Sequence, residues 1–533
     1  MESTIGEEDG QIRLIVSGQG GTGKSQVIKA LDSRISKKFD NCLAVIVTAP
    51  TGLAAFNVQG TTIHRALCLP VEHGKPSDYN RLDQEQLLII RATLKNLKLL
   101  IIDEVSMVSS ITLLYIHMRL TEIMSNNEYF GGISVVFFAD FLQLPPVKGN
   151  QPFIPVTYLE AKQRIGAIAS IDLWQTFQYE ELTVNMRQSG DKKYADILSQ
   201  LRVGQVTDDV YASLSDRMIV PGRRASVNEV CDHYTQLTGN GSDPLILLPR
   251  TALCDEINSA MLKITGSTIY TLTAIDTRDT HVEHKLLAKI HEAYHKTAED
   301  TTRTAGLEKS LQLSVGARVM LRRNLDVDAG LVNGSVGTVS GFKGTATQIH
   351  SISVKFNNVT KPVDIQRESC SFEVLKSVFY TRKQFPLMLA FAITIHKSQG
   401  LSLQSVIVDV GTSTFGCGMA YVALSRVTSL QGLHLIDIDR TKIKCDHKAI
   451  TEYNRLRDLY CPHLGNITVQ STAEATLEHN KQFDTPEHPE STEGDVTTAG
   501  QTNIFHFCKI ESLDEHFKSA IRQHLNLAAD SLS

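Results

Sequence analysis

The chain has 533 residues, 42% hydrophobic and 21% charged, enough apolar mass for a packed core and about three or four domains at roughly 150 residues each. No apolar run approaches the roughly 18 residues of a membrane helix. The acidic start MESTIGEEDG is neither a secretory signal nor an Arg-rich transit peptide, and nine dispersed cysteines without a C-x-x-C read as free thiols in a reducing compartment.

The formal charge of −5 is uneven. Residues 464–503 carry seven acids and one Lys, which leaves the rest of the chain near +1, so net charge neither supports nor excludes a polyanion partner.

Near the N-terminus IRLIVSGQGGTGKSQ places a short apolar run before Gly18, Gln19, Gly20, Gly21, Thr22, Gly23, Lys24 and Ser25. That octet is G-x-x-x-x-G-K-[ST], a phosphate cradle. Its glycines let backbone N–H groups approach phosphates without a Cβ in the way. Lys24 adds charge near the β- and γ-phosphates, and Ser25 offers a hydroxyl to Mg²⁺. Further on, CLAVIVTAP, LKLLIIDE and ISVVFFAD are short apolar runs ending in turns or acids. They predict buried parallel strands with chemistry at their C-terminal ends. Helically spaced IRATLKNL and ITLLYIHMRLTEIM lie between them, which makes an α/β doubly wound pattern.

In TAPTGLAAFNVQGTTIH, small residues around Thr51 and Gly52 permit close approach, and His64 can stack or hydrogen-bond. LLIIDEVSM sets Asp103 and Glu104 at a strand end. One acid can hold Mg²⁺ through water, and the other can orient or deprotonate an attacking water. Together with the phosphate loop, the pair favours a hydrolase over a kinase. In FFADFLQLPPV, Gln143 can donate and accept hydrogen bonds, so it can sense a γ-phosphate; Pro145 and Pro146 stiffen the chain just beyond it.

A second α/β set opens near EELTVNMRQ, continues through DPLILLPRTALCDEINSAML and resumes at LMLAFAITIHKSQG and SVIVDVG. Arg187 and Arg426 lie in it, and an Arg reaching across a cleft neutralises charge in phosphoryl transfer. Thr394, His396, Lys397, Gln399 and Gly400 combine a cation, polar side chains and a glycine, which suits nucleotide on one side and a phosphodiester backbone on the other. Between these blocks, GARVMLRRN, GLVNGSVGTVSGF and ISVKFNN are glycine-broken strands, with Asn333–Gly334 as a hairpin signal. Residues about 322–385 therefore read as a small inserted β-barrel, or else as a β-rich edge of that lobe. Residues 461–504 are polar and acidic, a flexible linker. In 505–533, Ile510, Leu513, Phe517, Ile521 and Leu525 recur at helical spacing, so an amphipathic helix is expected there, folding back on its own body or meeting a partner. Cys445–Asp446–His447 and Cys461–Pro462–His463 lack the usual spacing of structural zinc.

Eight blocks in order, GQGGTGKS, TAPTGLAA…GTTIH, IIDEVSM, ADFLQLPPV, NMRQ, GARVMLRRNLD…GLVNGSVG, AITIHKSQG and YVALSRV, resemble the petite-integration-frequency (Pif-one) helicases over residues 10–445. These are superfamily one, class B motors, related to RecD-type and Helitron helicases. The resemblance implies two RecA-like lobes, at 1–177 and at 178–321 with 386–460. It also implies an SH3-like insert at 322–385 and a small wedge near 66–84. It implies ATP with Mg²⁺ between the lobes, 5′→3′ movement on single-stranded DNA, unwinding of forked duplex, and work in repair, recombination or telomere and genome maintenance. By motif match, Lys24 and Ser25 serve phosphate and metal, Asp103 and Glu104 metal and water, and Gln143 the γ-phosphate. Arg187 and Arg426 become arginine fingers, and Gln399 and Gly400 approach the γ-phosphate. Thr51, Gly52, His64, Thr394, His396 and Lys397 face DNA.

Two departures stand out. The family's adenine-reading Gln on a helix before the loop has no counterpart in the seventeen residues before Gly18, so an N-terminally incomplete chain is expected. Ala139–Asp140 replaces the usual Gly-Asp. A translocase without unwinding and a non-catalytic transposon remnant are the rival functions. RNA stays open as a substrate, a nuclear location is expected with the mitochondrion as the alternative, no membrane is implied, and protein partners are unread.

Overall fold

The computed structural model describes residues 10–468, except 71–77, 148, 166–171, 279–286, 302, 305, 327–328, 346–347, 358 and 376–377. The expected C-terminal helix, most of the acidic linker and the middle of the expected wedge lie outside the described residues.

The first lobe is built on six parallel strands: β1 Arg13–Gly18, β2 Val45–Ala49, β3 Thr61–Thr62, β4 Leu99–Ile102, β5 Ser134–Ala139 and β6 Gln178–Leu182. Their order is β3-β2-β4-β5-β1-β6. β1, β4 and β5 are buried almost throughout, which is why their sequences are unbroken apolar runs rather than alternating ones. β6 reads QYEEL, with only Tyr179 and Leu182 buried, and forms one edge of the sheet. The sequence grouping that put residue 178 onward in the second lobe is thereby corrected: β6 pairs with β1 from Leu14↔Gln178 to Gly18↔Leu182.

A second parallel sheet places β7, Leu245–Leu248, between Ala392–Thr394 and Val406–Val410, with Leu433–Ile438 outermost. Successive residues of β7 point to opposite faces. Leu245 and Leu247 pack with the helix Met419–Leu424, whereas Ile246 and Leu248 join a core shared with Val319, Leu321, Val354 and Phe385 of the inserted strands. The insertion is thus tied to the lobe by a continuous apolar core.

The inserted strands are antiparallel. Five of them run in the order Val363–Ile365, Gln348–Phe356, Val336–Thr345, Arg318–Leu321, Leu387–Leu389. Glu368–Leu375 and Val378–Gln384 pair with each other, and the latter pairs with Ile275–Arg278. Ser310–Leu313 pairs with Tyr270–Thr273. The β-rich region therefore draws strands from well before residue 322. Asn333–Gly334 does not close a two-residue hairpin: it ends the longer connection between Arg318–Leu321 and Val336–Thr345, and Gly334 at φ +103° donates its N–H to the Leu321 carbonyl.

The last described α-helix, His447–Tyr460, follows the second sheet yet packs on the first lobe. Glu452 accepts from the Trp174 indole N–H at 2.7 Å, and Arg457 pairs with Glu181 at 2.6 Å. Among the described residues no helix is long and apolar enough to cross a membrane.

Candidate active site

β1 ends at Gly18 and the helix Lys24–Lys38 begins six residues later, so the loop between them curls against the helix N-terminus. Gly21 at φ +96° and Gly23 at φ +84° occupy left-handed backbone that other residues enter at a cost. Space is also short at Gly21, where an added Cβ would stand 2.6 Å from both Arg187 Cβ and Asn185 Oδ1. Met186 N–H donates to the Gly21 carbonyl at 2.8 Å. The NMRQ segment is thereby laid directly over the phosphate loop. Lys24 folds back to donate to the Gly18 and Gln19 carbonyls at 2.6 and 3.2 Å. Burial lowers its pKa against the pull of Asp140, Glu104 and Asp103. The Ser25 side chain is exposed at the start of the helix.

Asp103 follows β4 and is buried; burial first, then Glu104 beside it, pushes its pKa up to about 7. Its Oδ1 accepts from the Glu104 N–H at 2.9 Å. Glu104 has φ +51° and ψ 44°, and its buried Oε2 has no hydrogen-bond partner. Gln143 is buried, donates to Asp140 at 3.2 Å and leaves Oε1 unpartnered.

From the second lobe, Arg426 is buried and held by the Val422 carbonyl (2.8 Å) and the Ser425 hydroxyl (2.9 Å). Burial, then repulsion from Arg187, brings its pKa down to about 10, while Glu104 and Asp140 oppose the drop. Arg187 donates to the Ser425 carbonyl at 3.2 Å, and burial lowers its pKa too. Two guanidinium groups and Lys24, each near enough to feel another's charge, are thus gathered around Glu104. Buried cations that repel one another are stabilised by an anion placed between them. Gln399 is buried with neither side-chain polar atom partnered, and its neighbour Gly400, at φ +83°, accepts from Asn57 Nδ2 of the first lobe at 2.9 Å. Unpartnered buried amides and carboxylates are rare in folded chains and call for a partner the chain itself does not supply, a ligand, an ion or a water.

The expected strand-facing residues divide into two groups. Thr51 caps the helix Gly52–Asn57, accepting from the Ala54 N–H at 3.3 Å, and a Cβ on Gly52 would stand 2.7 Å from Asn324 Oδ1 of the insertion. Thr394 ends its strand, and His64 and His396 are half-buried with pKa values lowered by burial. The two histidines are therefore neutral near pH 7 and suited to stacking or hydrogen bonding. Lys397 has a different setting. Its Nζ meets Met388 Sδ at 3.1 Å, as does Arg322 Nη1, and burial, then Arg322, lowers its pKa to about 8.

Sequence reasoning did not pick out what joins the lobes. Asp140, fully buried after β5, is bonded by Arg202 of the helix Lys192–Arg202 at 2.9 Å, by Tyr421 OH at 3.2 Å and by Tyr453 OH at 3.3 Å. Burial alone would raise its pKa, but Arg202 and Lys24 outweigh burial and hold the carboxyl below its usual range. The one available sequence signal was a lone Arg on the apolar face of KKYADILSQLR. Among the described residues no group of three or more His, Cys, Asp or Glu could hold a metal ion.

Residues 1–211 match the PIF1-like helicase family and residues 304–342 match the 2B domain of DNA helicase Pif1. The chain is 31% identical over 469 residues to the mouse ATP-dependent DNA helicase PIF1, covering 85% of this chain and 62% of that protein. The rat protein of the same name is 30% identical, with 85% and 64% covered. The chain thus spans less than two thirds of the length of these relatives. Among solved structures, Bacteroides Pif1 bound to ssDNA aligns with a TM-score of 0.63 at 28% identity, covering 86% of this chain and 96% of that one. Candida albicans Pif1 aligns at 0.60 and 27%, covering 84% and 96%. The two parallel-sheet lobes are RecA-like by this match.

Proposed function

We propose that this chain, of the Pif1 helicase type, hydrolyses ATP between its lobes to move 5′→3′ along single-stranded DNA and to unwind forked duplex. One observation carries the reading: Arg187 and Arg426 both bond Ser425, which with Arg187 lies beside Gly20 of the loop that Lys24 folds back on, and the unpartnered Oε2 of Glu104 lies within reach of all three charges, which suits a triphosphate. Solved Bacteroides relatives include one in complex with ADP-AlF3 and ssDNA, which supports the pairing of ligands.

The roles follow from position. Backbone N–H groups of Gly18 to Gly23 and the Lys24 ammonium bind the phosphates, Glu104 orients and deprotonates the attacking water, and Gln143 and Gln399 hydrogen-bond near the terminal phosphate. Arg187 and Arg426 stabilise the transition-state charge, an effect on the order of 10³–10⁵ in rate. Ser25 and Asp103 would hold Mg²⁺; the Asp103 carboxyl, its pKa pushed up to about 7 by burial and by Glu104 beside it, gains from a divalent cation. When bound, that ion neutralises phosphate charge. Thr51, Gly52, His64, Thr394, His396 and Lys397 form the strand-facing set, and the antiparallel strands after β7 support an SH3-like insert. The nuclear setting, with the mitochondrion as the alternative, and a role in repair or recombination rest on the resemblance alone.

The test is ATP turnover with and without ssDNA and ssRNA oligonucleotides, beside a forked-duplex unwinding assay. DNA-stimulated turnover with strand separation is expected, and Lys24→Ala should lower turnover by about 10²-fold or more. Stimulation without separation would instead mean a translocase. Turnover that Lys24→Ala leaves unchanged would place the activity outside this site.

A further inference from the structure

Tyr421 belongs to no part of the scheme above, yet it touches the phosphate loop from the other lobe. It lies in the short helix Met419–Leu424 and is buried. Its hydroxyl accepts from the Gly20 N–H at 3.0 Å and lies 3.2 Å from Asp140 Oδ2. A phenol has one proton to give. With its acceptor side taken by Gly20, that proton is donated to the Asp140 carboxylate. The same carboxylate binds Gln143 through Oδ2 and Arg202 through Oδ1. The result is an unbroken line from a phosphate-loop amide, through Tyr421, to Asp140 and on to Gln143.

Gly20 N–H is one of the donors that a cradle of this kind turns toward phosphate. A phosphate oxygen carries charge and is a stronger acceptor than a phenol. Both cannot hold one N–H well at once, so nucleotide entry exchanges the Tyr421 hydroxyl for a phosphate oxygen. Tyr421 also precedes Arg426 by five residues, and Arg426 Nε is anchored on the Val422 carbonyl of the same helix. Movement at Tyr421 is therefore carried to that guanidinium.

We propose that Tyr421 is a positioning residue that reads occupancy of the phosphate loop: its hydroxyl competes with nucleotide for Gly20 N–H and, once displaced, re-aims Gln143 through Asp140 and Arg426 through the helix on which the Arg426 Nε is anchored. This rests on the reading of the cleft as an ATP site.

The experiment compares wild type with Tyr421→Phe, which keeps the ring and removes only the hydroxyl. ADP affinity is measured by calorimetry, and steady-state turnover gives KM and kcat separately. Loss of the competing hydrogen bond should make ADP bind about 3- to 10-fold tighter, while kcat falls because Asp140 loses a donor. A purely structural role would weaken binding or lower the active fraction without tightening, so ADP affinity that is unchanged or weaker overturns the inference. Should Tyr421→Phe fail to fold, 3-fluorotyrosine placed at 421 keeps the hydroxyl. Its ¹⁹F resonance should shift when ADP is added, and a resonance that stays put overturns the inference equally. Lys24→Ala run in parallel keeps the two ideas apart. If wild type binds no ADP, the ATP-site reading fails; if wild type binds and Lys24→Ala does not, only the role of Tyr421 is at stake.

Discussion

At Glu104 the backbone sits in the left-handed region, which costs a non-glycine residue roughly 1–3 kcal/mol. That strain turns the side chain from the end of β4 toward Lys24 and the two arginines, whose charges it feels. Lys397 is a second residue held at a cost. Its pKa falls to about 8 because burial and Arg322 disfavour the ammonium, and Cys254, Glu308 and Asp255 only partly offset them. The unfolded chain binds this proton up to about pH 10.4. Below pH 8 both states are protonated and the native state bears the full penalty. Between pH 8 and about 10.4 the native lysine is neutral while the unfolded one is charged, so the penalty fades as pH rises. Lys397→Met should therefore stabilise the protein by roughly 1–3 kcal/mol at pH 7, and the gain should vanish toward pH 10.4. Denaturant titrations of both chains at several pH values check it; a pH-independent difference would mean that Lys397 is not destabilised by its surroundings. If Lys397 also touches DNA, the same variant loses strand affinity while gaining stability.

The elements carry a different lesson. Strands buried on both faces announced themselves as apolar runs, and the phosphate loop was legible because its chemistry fixes its residues and their spacing. β6 was misgrouped because an edge strand reading QYEEL carries no such run, and its partner β1 lies more than 160 residues away. The helix His447–Tyr460 was equally hidden: nothing local says that its partners are Trp174 and Glu181. Nor could the Asp140 cluster be read, since its four side chains come from four separate elements and meet only in the folded chain. The helix makes a prediction of its own. Glu452 is the acceptor for the buried Trp174 N–H and also the partner of Arg455. Glu452→Ala leaves that indole donor without a partner, a loss of about 1–3 kcal/mol. Trp174 is the only tryptophan in the sequence, so its fluorescence during denaturant unfolding reports this docking directly. A midpoint equal to wild type would show that the bond adds nothing.

For the molecule as a whole, the decisive matter is where its two lobes are joined and how strongly. One joint is Asp140 with Arg202, a buried pair, with Tyr421 and Tyr453 completing it. Another is the Asn57 amide on the Gly400 carbonyl, an exposed bond. Removing one partner of a buried ion pair costs about 3–5 kcal/mol because the other charge stays buried and uncompensated. An exposed neutral hydrogen bond contributes only about 0.5–1.5 kcal/mol. The lobes should therefore open at Asn57–Gly400 and pivot about Asp140. Arg202→Met is expected to lower unfolding free energy by roughly 3–5 kcal/mol. Asn57→Ala should change it by about 1 kcal/mol or less, yet widen the distance between dyes placed on the two lobes. Denaturant unfolding and energy transfer on the same two variants check both halves. If Asn57→Ala leaves the dye distance unchanged while Arg202→Met widens it without loss of stability, the pivot and the opening edge have been assigned the wrong way round.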